Sequence, residues 1–225
     1  MGKKTPRLAA VTCAVWLVMV FAGQSAAAIG QDVVNSAWKR IAAAAGMEPI
    51  AITYEPDKSP NAWVNFKSAN NYTVHVTQGL MQLLDEPDEI AGILGHEMGH
   101  IKRGHYSKGV QRNILWSGLG FLTKKAGAIG EIVGAMGMDW AEKGFSKEQE
   151  VEADDYGVDI SKKAEYSAWG LYMAMKKFKD NGYVTKPKGL EGFISGFNSH
   201  PITDLRLRHL EERAQKIEPK PAGLK

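Results

Sequence analysis

The most informative stretch of the sequence is an HExxH motif, in which His96 and His100 enclose Glu97. On an α-helix of about 3.6 residues per turn, the two histidines lie one turn apart on nearly the same side. Their imidazoles can then bind a single ion, and zinc is well suited to nitrogen ligands in tetrahedral geometry. Glu97 lies about 100° further around the helix, where its carboxylate can act as general base on a water molecule beside the metal. The motif therefore predicts hydrolysis at a zinc ion.

The residues that flank the motif predict that it lies on a helix. The acidic run at 85–89, with a proline inside it, is typical of a helix N-terminus, and residues 102–104 are typical of a helix end. Apolar residues at helical spacing predict one buried stripe: Ile90, Ile93, Leu94 and Ile101. The same stretch holds three glycines: Gly92, Gly95 and Gly99. Because each glycine lowers helix propensity by about 1 kcal/mol, we expect a neighbouring element to pack very closely against this helix.

A second acidic stretch offers a third ligand. Ser146 and Gln149 form a capping-box pattern, which predicts that a helix begins here. Glu150 and Asp154 are four residues apart and share one face of that helix, whereas the other two glutamates of the stretch lie about 200° away. The longer Glu150 is predicted to bind the zinc, and Asp154 is predicted to hold a ligand imidazole through its second ring nitrogen. Without the HExxH helix, the same pattern would indicate only a solvated acidic face.

Two further histidines are not expected to bind the metal. His75 falls in a predicted strand, where a half-exposed structural role is the plainer interpretation. His105 follows His100 by five residues, which places it about 140° around a continued helix and out of reach of the same ion. We therefore interpret His105 as structural.

The first 28 residues are predicted to be a secretory signal peptide. A basic start precedes an apolar run at 8–21, and Ala26 and Ala28 fit an A-x-A cleavage site. The run is shorter than the roughly 18 apolar residues of a membrane span, so an uncleaved anchor is the weaker alternative. The whole chain of 225 residues has 44% hydrophobic and 24% charged residues, and its remainder, 29–225, is expected to form one globular catalytic domain.

Removal of this leader would change the charge of the chain. The leader contains three of the 28 Lys and Arg residues and none of the 25 Asp and Glu residues, so 25 charges of each sign would remain. A net charge near zero gives no indication of a nucleic-acid partner. Cys13, the only cysteine, lies in the apolar run and would leave with the leader. The exported protein would then have no disulfide and would depend on its core and its metal for stability.

Elsewhere, the spacing of apolar residues predicts helices around a small β-sheet. Predicted helices lie at 32–45, 79–84, 168–178 and 204–214. Predicted strands lie at 50–54, 62–66 and 72–77. We expect the last two strands to form a hairpin, Leu205 to pack in the core, and residues 216–225 to form a loose tail. The glycine-rich segment 113–138 indicates a helical pair or flap, with a membrane-touching amphipathic segment as the alternative.

Together, the HExxH motif, the ExEAD run at 150–154 and a His-Pro pair at 200–201 resemble the HtpX and CaaX prenyl-protease family of zinc metallopeptidases, in particular its soluble exported bacterial members. The resemblance extends over residues 61–210. It implies an α+β fold of the zincin-like type, a mainly helical domain with a small β-sheet or hairpin beside the active-site helix. It also implies a zinc endopeptidase that binds one Zn²⁺ per subunit.

The resemblance assigns roles to individual residues. The metal ligands and the general base are matched by His96, His100, Glu150 and Glu97. The segment Asn61-Ala62-Trp63 matches a strand edge beside the active site, where an extended substrate could pair. His200 and Arg206 match a pattern of the family, HPxxxxR.

Two positions depart from the family pattern. Lys147 stands where the family has arginine, so a bidentate fork is absent. Glu165, between Ala164 and Tyr166, stands where the family has glycine, so a flexible residue is absent. Neither change touches the metal chemistry, but both affect local geometry.

Three roles for His200 are open at this point. It could stabilise the oxyanion of the transition state as a catalytic residue. It could instead fill the fourth metal position in a resting enzyme and block water, or it could cap the loop before Pro201.

The sequence thus predicts a zinc endopeptidase that acts on partly unfolded envelope proteins in protein quality control. We expect a periplasmic location, with secretion as the alternative, and no nucleic-acid partner, while the sequence leaves open whether a membrane-associated partner tethers the enzyme. The rival interpretation is a non-catalytic binding or chaperone-like module that keeps zinc for stability. Glu97 argues against that module, because a structural metal site has no use for the carboxylate. Zinc-dependent hydrolysis of a non-peptide substrate is a third interpretation.

Overall fold

The computed structural model describes residues 28–68, 71–106, 145–183, 200 and 202–224. Within these ranges the elements follow the order α1 (Gln31–Ala44), β1 (Ile52–Glu55), β2 (Ala62–Ser68), β3 (Asn71–Thr77), α2 (Gln78–Leu83), α3 (Pro87–Lys102), α4 (Lys147–Lys163), α5 (Gly170–Asp180) and α6 (Asp204–Gln215). Helices outweigh the three short strands, so the architecture agrees with the predicted α+β class.

Several predictions fall outside the described residues. They concern the signal peptide, apart from its last residue, the glycine-rich segment 113–138, and the loop that precedes His200. These stay predictions. Among the helices that the structure describes, none combines the length and the apolar character that crossing a membrane requires.

The sheet has the strand order β1-β3-β2, with β1 parallel and β2 antiparallel to β3. The hairpin of β2 and β3 confirms the prediction, whereas the parallel pairing of β1 follows from no local pattern. Alternate residues of β3 point to opposite faces, so Val74 and Val76 are buried in the core while His75 lies on the outer face. Among the described strands, β2 has a neighbour on one side only, and its other edge is open.

The HExxH helix, α3, is buried on every side over residues 89–101. The prediction of one buried stripe therefore underestimates the buried surface of this helix, because α1, α4 and α5 pack around it from several directions. A Cβ atom at Gly92 would lie 2.3 Å from the backbone nitrogen of Leu171 in α5. One at Gly99 would lie 2.8 Å from the carbonyl oxygen of Ala153 in α4. The close approach predicted from these glycines is confirmed.

A buried glutamate fixes the start of α3. Glu89 is 1% exposed and accepts hydrogen bonds from the backbone N–H groups of Asp85 and Glu86, at 3.1 and 3.2 Å. Burial raises the pKa of Glu89, and the Lys177 ammonium of α5, 2.7 Å away, opposes that shift. These contacts attach the first turn of α3 to α5 and so fix the position of the motif along the helix axis.

Two predictions for the C-terminal part are wrong. Leu205 is 68% exposed rather than buried, and its neighbour Arg206 is buried instead, because Arg206 pairs with buried carboxylates of α4. The segment after α6 is not a loose tail, since Glu218 accepts a 2.7 Å hydrogen bond from the backbone N–H of Ala168 and pairs with Lys162. Polar contacts between distant residues leave no periodic pattern in the sequence.

Glu165, where the family resemblance implies glycine, adopts the left-handed backbone conformation with a φ of 63°. A residue with a Cβ atom is destabilised by about 1–2 kcal/mol in this conformation. We therefore expect Glu165→Gly to raise the free energy of unfolding by about 0.5–1 kcal/mol, less than the full strain because glycine loses more backbone freedom on folding. Urea denaturation measures the difference.

Glu165→Ala is the matched control for this substitution. Both variants remove the 3.0 Å ion pair with Arg40, whose partners are 40% and 88% exposed, so that this pair contributes little. Only glycine also relieves the backbone. If the two variants unfold at the same urea concentration, the backbone at this position is not strained.

Candidate metal centre

Four buried side chains from three parts of the chain converge on one point. α3 supplies His96 and His100, α4 supplies Glu150, and His200 lies shortly before α6. Their ligand atoms all lie within 4.8 Å of one another, and none of the four residues is more than 4% exposed. The side chains that the sequence predicts as metal ligands are thus brought together.

The separations within this cluster resemble those around one zinc ion. Nε2 of His96 and Nε2 of His100 are 3.1 Å apart. Oε2 of Glu150 lies 3.6 Å from the first nitrogen, and its Oε1 lies 3.6 Å from the second. Ligand atoms bound at about 2.0–2.1 Å in a tetrahedron are about 3.3 Å apart. Two imidazoles and a carboxylate in such a triangle are a donor set that suits zinc.

His200 adds a fourth candidate donor to the triangle. Its Nδ1 is 3.2 Å from Nε2 of His96 and 2.9 Å from Oε1 of Glu150, while its Nε2 is 3.4 Å from Oε1 of Glu97. The ring therefore lies between the predicted ligands and the predicted general base. Burial lowers the pKa of His200, but the carboxylates of Glu150 and Glu97 outweigh burial and raise that pKa above its ordinary value.

Two charged residues hold the predicted ligands in place. Oδ1 of Asp154 lies 2.8 Å from Nδ1 of His96, the contact with a ligand imidazole that the sequence predicts. Arg206 pairs with both acids, since its Nη1 is 2.6 Å from Glu150 and its Nε is 2.6 Å from Asp154. Burial alone would raise the pKa of Asp154, but the charge and the hydrogen bonds of Arg206 hold it well below its usual range.

The surroundings of His100 favour its neutral form. Burial, followed by the neighbouring imidazoles of His96 and His200, holds the pKa of His100 well below its usual range. Phe145 stacks on His100 with ring centroids 3.8 Å apart and on His200 with centroids 5.3 Å apart. Neutral imidazole is the form that binds a metal, so this environment suits a ligand.

Glu97 is fully buried beside the cluster and not in it. Its Oε2 accepts a 3.0 Å hydrogen bond from the hydroxyl of Tyr106, and its Oε1 faces His200. Burial, then the charge of Glu97, raises the pKa of Tyr106 well above its ordinary value, so this hydroxyl remains a donor. Tyr106 could not be predicted from the sequence, because this residue lies beyond the end of α3. A turn at Gly104, with a φ of 69°, returns the chain to the site.

The predicted substrate strand, β2, lies next to Tyr106. The ring of Phe66 stacks on the ring of Tyr106 with centroids 5.4 Å apart. At the start of the strand, the backbone N–H of Asn61 donates to the hydroxyl of Thr77, at 2.9 Å. β2 is therefore in contact with Tyr106, the residue whose hydroxyl donates a hydrogen bond to the predicted general base.

The outer face of the sheet carries a separate polar cluster. Ala62 is buried, whereas Trp63 lies on the outer face and stacks on His75, with ring centroids 4.8 Å apart. Nδ1 of His75 lies 2.8 Å from Glu55. His75 is therefore a half-buried strand residue outside the metal cluster, in keeping with the structural role predicted for it.

His105 is outside the ligand group, as predicted, but it lies in direct contact with the ligand candidate His100. It is fully buried, and its Nδ1 lies 2.9 Å from Nδ1 of His100. The angle of about 140° expected from the sequence assumes a continued helix. Because α3 ends at Lys102, the turn that follows brings the His105 ring back against His100.

Comparison with known proteins identifies one family. The profile of peptidase family M48 matches residues 29–214. Metalloprotease LoiP of Escherichia coli (strain K12) is 31% identical over 156 aligned residues, covering 67% of this chain and 58% of that protein. Metalloprotease YcaL of the same strain is 29% identical over 159 residues, covering 68% and 58% respectively. A protease HtpX homolog of Salinibacter ruber is 27% identical over 187 residues, covering 72% and 67%.

This chain thus spans 58% of the length of each Escherichia coli relative. The matched region contains the HExxH helix, the helix of Glu150 and α6 as far as Ala214. M48 metalloproteases use zinc, and the buried cluster can bind one such ion. The resemblance to HtpX-like metallopeptidases predicted from the motifs is confirmed, and the chain belongs to peptidase family M48.

Proposed function

We propose that the protein is a zinc-dependent endopeptidase with a zincin-like site. The observation that carries the proposal is the convergence of His96, His100 and Glu150 on one point, with the Glu97 carboxylate buried beside it. These first three side chains would hold the zinc. When bound, zinc polarises the scissile carbonyl and makes a nearby water acidic enough to lose a proton near neutral pH.

The other residues of the site position and move protons. Oε1 of Glu97 would take the proton of the attacking water and later deliver it to the leaving amine. Tyr106 holds the opposite oxygen, Oε2, and so leaves Oε1 as the proton acceptor. A non-catalytic zinc-stabilised module is the weaker candidate, because a buried carboxylate that binds no metal would destabilise it without serving any purpose.

Of the three roles open for His200, the fourth metal position is the one that the geometry favours, and it requires the neutral ring, whereas Glu150 and Glu97 raise the pKa of His200 in the metal-free cluster. Its Nδ1 lies 3.2 Å from one predicted ligand atom, and its ring fills the space beside Glu97 that the attacking water must enter. We therefore expect His200→Ala to raise the initial rate of peptide cleavage by about 3- to 10-fold, because water and substrate can then enter the site without prior displacement of the His200 ring. Abolished cleavage would instead favour oxyanion stabilisation, and an unchanged rate would favour loop capping.

The proposed substrates are extended or partly unfolded polypeptides. A segment that pairs with the open edge of β2 is recognised mainly through its main chain, and Phe66 of this strand stacks on Tyr106. A folded protein cannot offer such a segment. Export to the periplasm, action on misfolded envelope proteins and a membrane-associated partner are also part of the proposal, and they rest on the predicted signal peptide and the family resemblance.

The test compares casein, which is unfolded, with a tightly folded protein of similar size. Cleavage is followed by gel electrophoresis with zinc-loaded protein, after dialysis against a chelator, and after zinc is returned. We expect casein to be cleaved at least about tenfold faster than the folded protein, because the folded protein must unfold locally before a protease can cleave it. Chelation should abolish cleavage and zinc should restore it. Cleavage that survives chelation, or no cleavage of casein by the zinc-loaded protein, would contradict the proposal.

A further inference from the structure

His105 lies in the interior directly behind a proposed zinc ligand. It is 0% exposed, and its Nδ1 is 2.9 Å from Nδ1 of His100, which is the ring nitrogen that faces away from the cluster. On the other side of the ring, Nε2 of His105 is 3.1 Å from Oε2 of Glu152, an exposed residue of α4. These contacts form a continuous chain from the surface of α4 to the candidate metal centre.

Hydrogen-bonding chemistry determines where the protons of this chain lie. A carboxylate only accepts hydrogen bonds, so Nε2 of His105, which faces Glu152, carries a hydrogen. The neutral ring then has its lone pair at Nδ1, and it accepts a hydrogen bond from Nδ1–H of His100. This leaves the lone pair of His100 on Nε2, the nitrogen that faces His96 at 3.1 Å and Glu150 at 3.6 Å. That tautomer is the one that can bind a metal in the cluster.

Packing alone does not explain an imidazole at this position. A buried imidazole must have both ring nitrogens satisfied, whereas an apolar side chain of similar size would carry no such requirement. Both nitrogens of His105 meet polar partners on helices of the site, His100 on α3 and Glu152 on α4. The other histidine of the HExxH motif has a similar support, since Asp154 lies 2.8 Å from Nδ1 of His96.

We propose that His105 and Glu152 are positioning residues of the metal centre, which hold His100 in its metal-binding tautomer and orientation without binding the metal themselves. The inference rests on the proposed function, because it takes His100 to be a zinc ligand. Supporting groups of this kind contribute about 10- to 100-fold to the metal affinity of other sites. The predicted consequence is therefore a change in zinc affinity.

The test compares His105→Leu with His105→Asn, two side chains of nearly equal size. Oδ1 of asparagine takes about the place of Nδ1 of histidine and can accept the hydrogen bond from His100, whereas leucine cannot. We expect His105→Leu to weaken zinc binding about 10- to 100-fold and His105→Asn to stay within about threefold of the wild type. Competition with a chromophoric chelator measures the zinc affinity, and the melting temperature of the zinc-free protein reports folding.

Two further variants complete the experiment. His209→Leu removes a histidine that pairs with Asp155 of α4 at 2.9 Å, outside the cluster, and should leave zinc affinity unchanged. Glu152→Ala alters only an exposed side chain, so it tests the inference even if His105→Leu does not fold; we expect about fivefold weaker binding. Wild-type affinity in both Glu152→Ala and His105→Leu would overturn the inference and leave the proposed function standing. A wild-type protein that does not bind zinc would overturn both.

Discussion

Replacing Glu97 with glutamine is expected to lower the turnover of a peptide substrate by about 10²- to 10⁴-fold while zinc stays bound. Glutamine has the shape of glutamate, and its carbonyl oxygen can still accept the hydrogen bond from Tyr106 that measures 3.0 Å in the wild type. It cannot take a proton from water. Because Glu97 lies beside the ligand cluster and not in it, the metal content should not change.

Two measurements on this variant separate a general base from a ligand. The kcat comes from initial rates on a fluorogenic peptide, and the zinc content comes from elemental analysis of the same sample. Glu148→Gln alters an exposed glutamate of α4 and should retain wild-type values in both. Wild-type turnover in Glu97→Gln would remove the proposed general base, and loss of zinc would make Glu97 a ligand instead.

Replacing Arg206 with methionine is expected to destabilise the zinc-free protein by about 3–5 kcal/mol at neutral pH. Arg206 is 6% exposed, and its guanidinium lies 2.6 Å from each of Glu150 and Asp154, which are 4% and 0% exposed. Methionine is similar in length but carries no charge, so two buried carboxylates would lose their shared counter-charge. Urea denaturation in the presence of a chelator measures the difference.

The destabilisation should shrink as the pH falls. In the wild type, burial would raise the pKa of Asp154, but Arg206 holds it well below its ordinary value. A carboxyl group whose pKa is lower in the folded than in the unfolded protein stabilises the fold at pH values above its unfolded pKa of about 4. This stabilisation is lost as the pH falls below about 4. In the variant, only the contact with His96 still opposes burial, so the pKa of Asp154 rises relative to the wild type, and the carboxyl group protonates at higher pH, which reduces its penalty. The gap between the two proteins should therefore narrow from about pH 7 to pH 4.

Other arginine variants give the comparison its controls. Arg213→Met removes a partly exposed arginine that pairs with Asp159, and it should change stability by less than about 1 kcal/mol. Arg206→Lys keeps the charge but not the planar fork, so its stability should lie between the wild type and Arg206→Met. A loss in Arg206→Met that is no larger than in Arg213→Met, or that does not vary with pH, would contradict the role of Arg206 as counter-charge.

The parts of the site that lie on single helices could be predicted from the sequence. The HExxH spacing and the common face of Glu150 and Asp154 depend only on helical geometry, and both acids are buried while Glu148 is exposed. The capping box at Ser146 and Gln149 also follows from residues three apart, and the structure contains it. Patterns of this kind are local, so the sequence contains all the information that they need.

The features that could not be predicted depend on residues distant in sequence. Helical periodicity favours Leu205 as a core residue, and only the carboxylates of α4 explain why Arg206 is buried instead. His105 and Tyr106 follow the end of α3, where a turn sets their direction and the helical repeat no longer applies. The parallel pairing of β1 with β3 likewise joins segments that no local pattern links.

Zinc content per chain tests most directly whether His96, His100 and Glu150 share one ion. It can be measured by elemental mass spectrometry after exhaustive dialysis, in the wild type, in an alanine variant of each of the three residues, and in Glu148→Ala as control. We expect about one zinc per chain in the wild type and the control, and less than about a tenth of that in the three variants. A full complement of zinc in Glu150→Ala would contradict the convergence of these three side chains on a single metal.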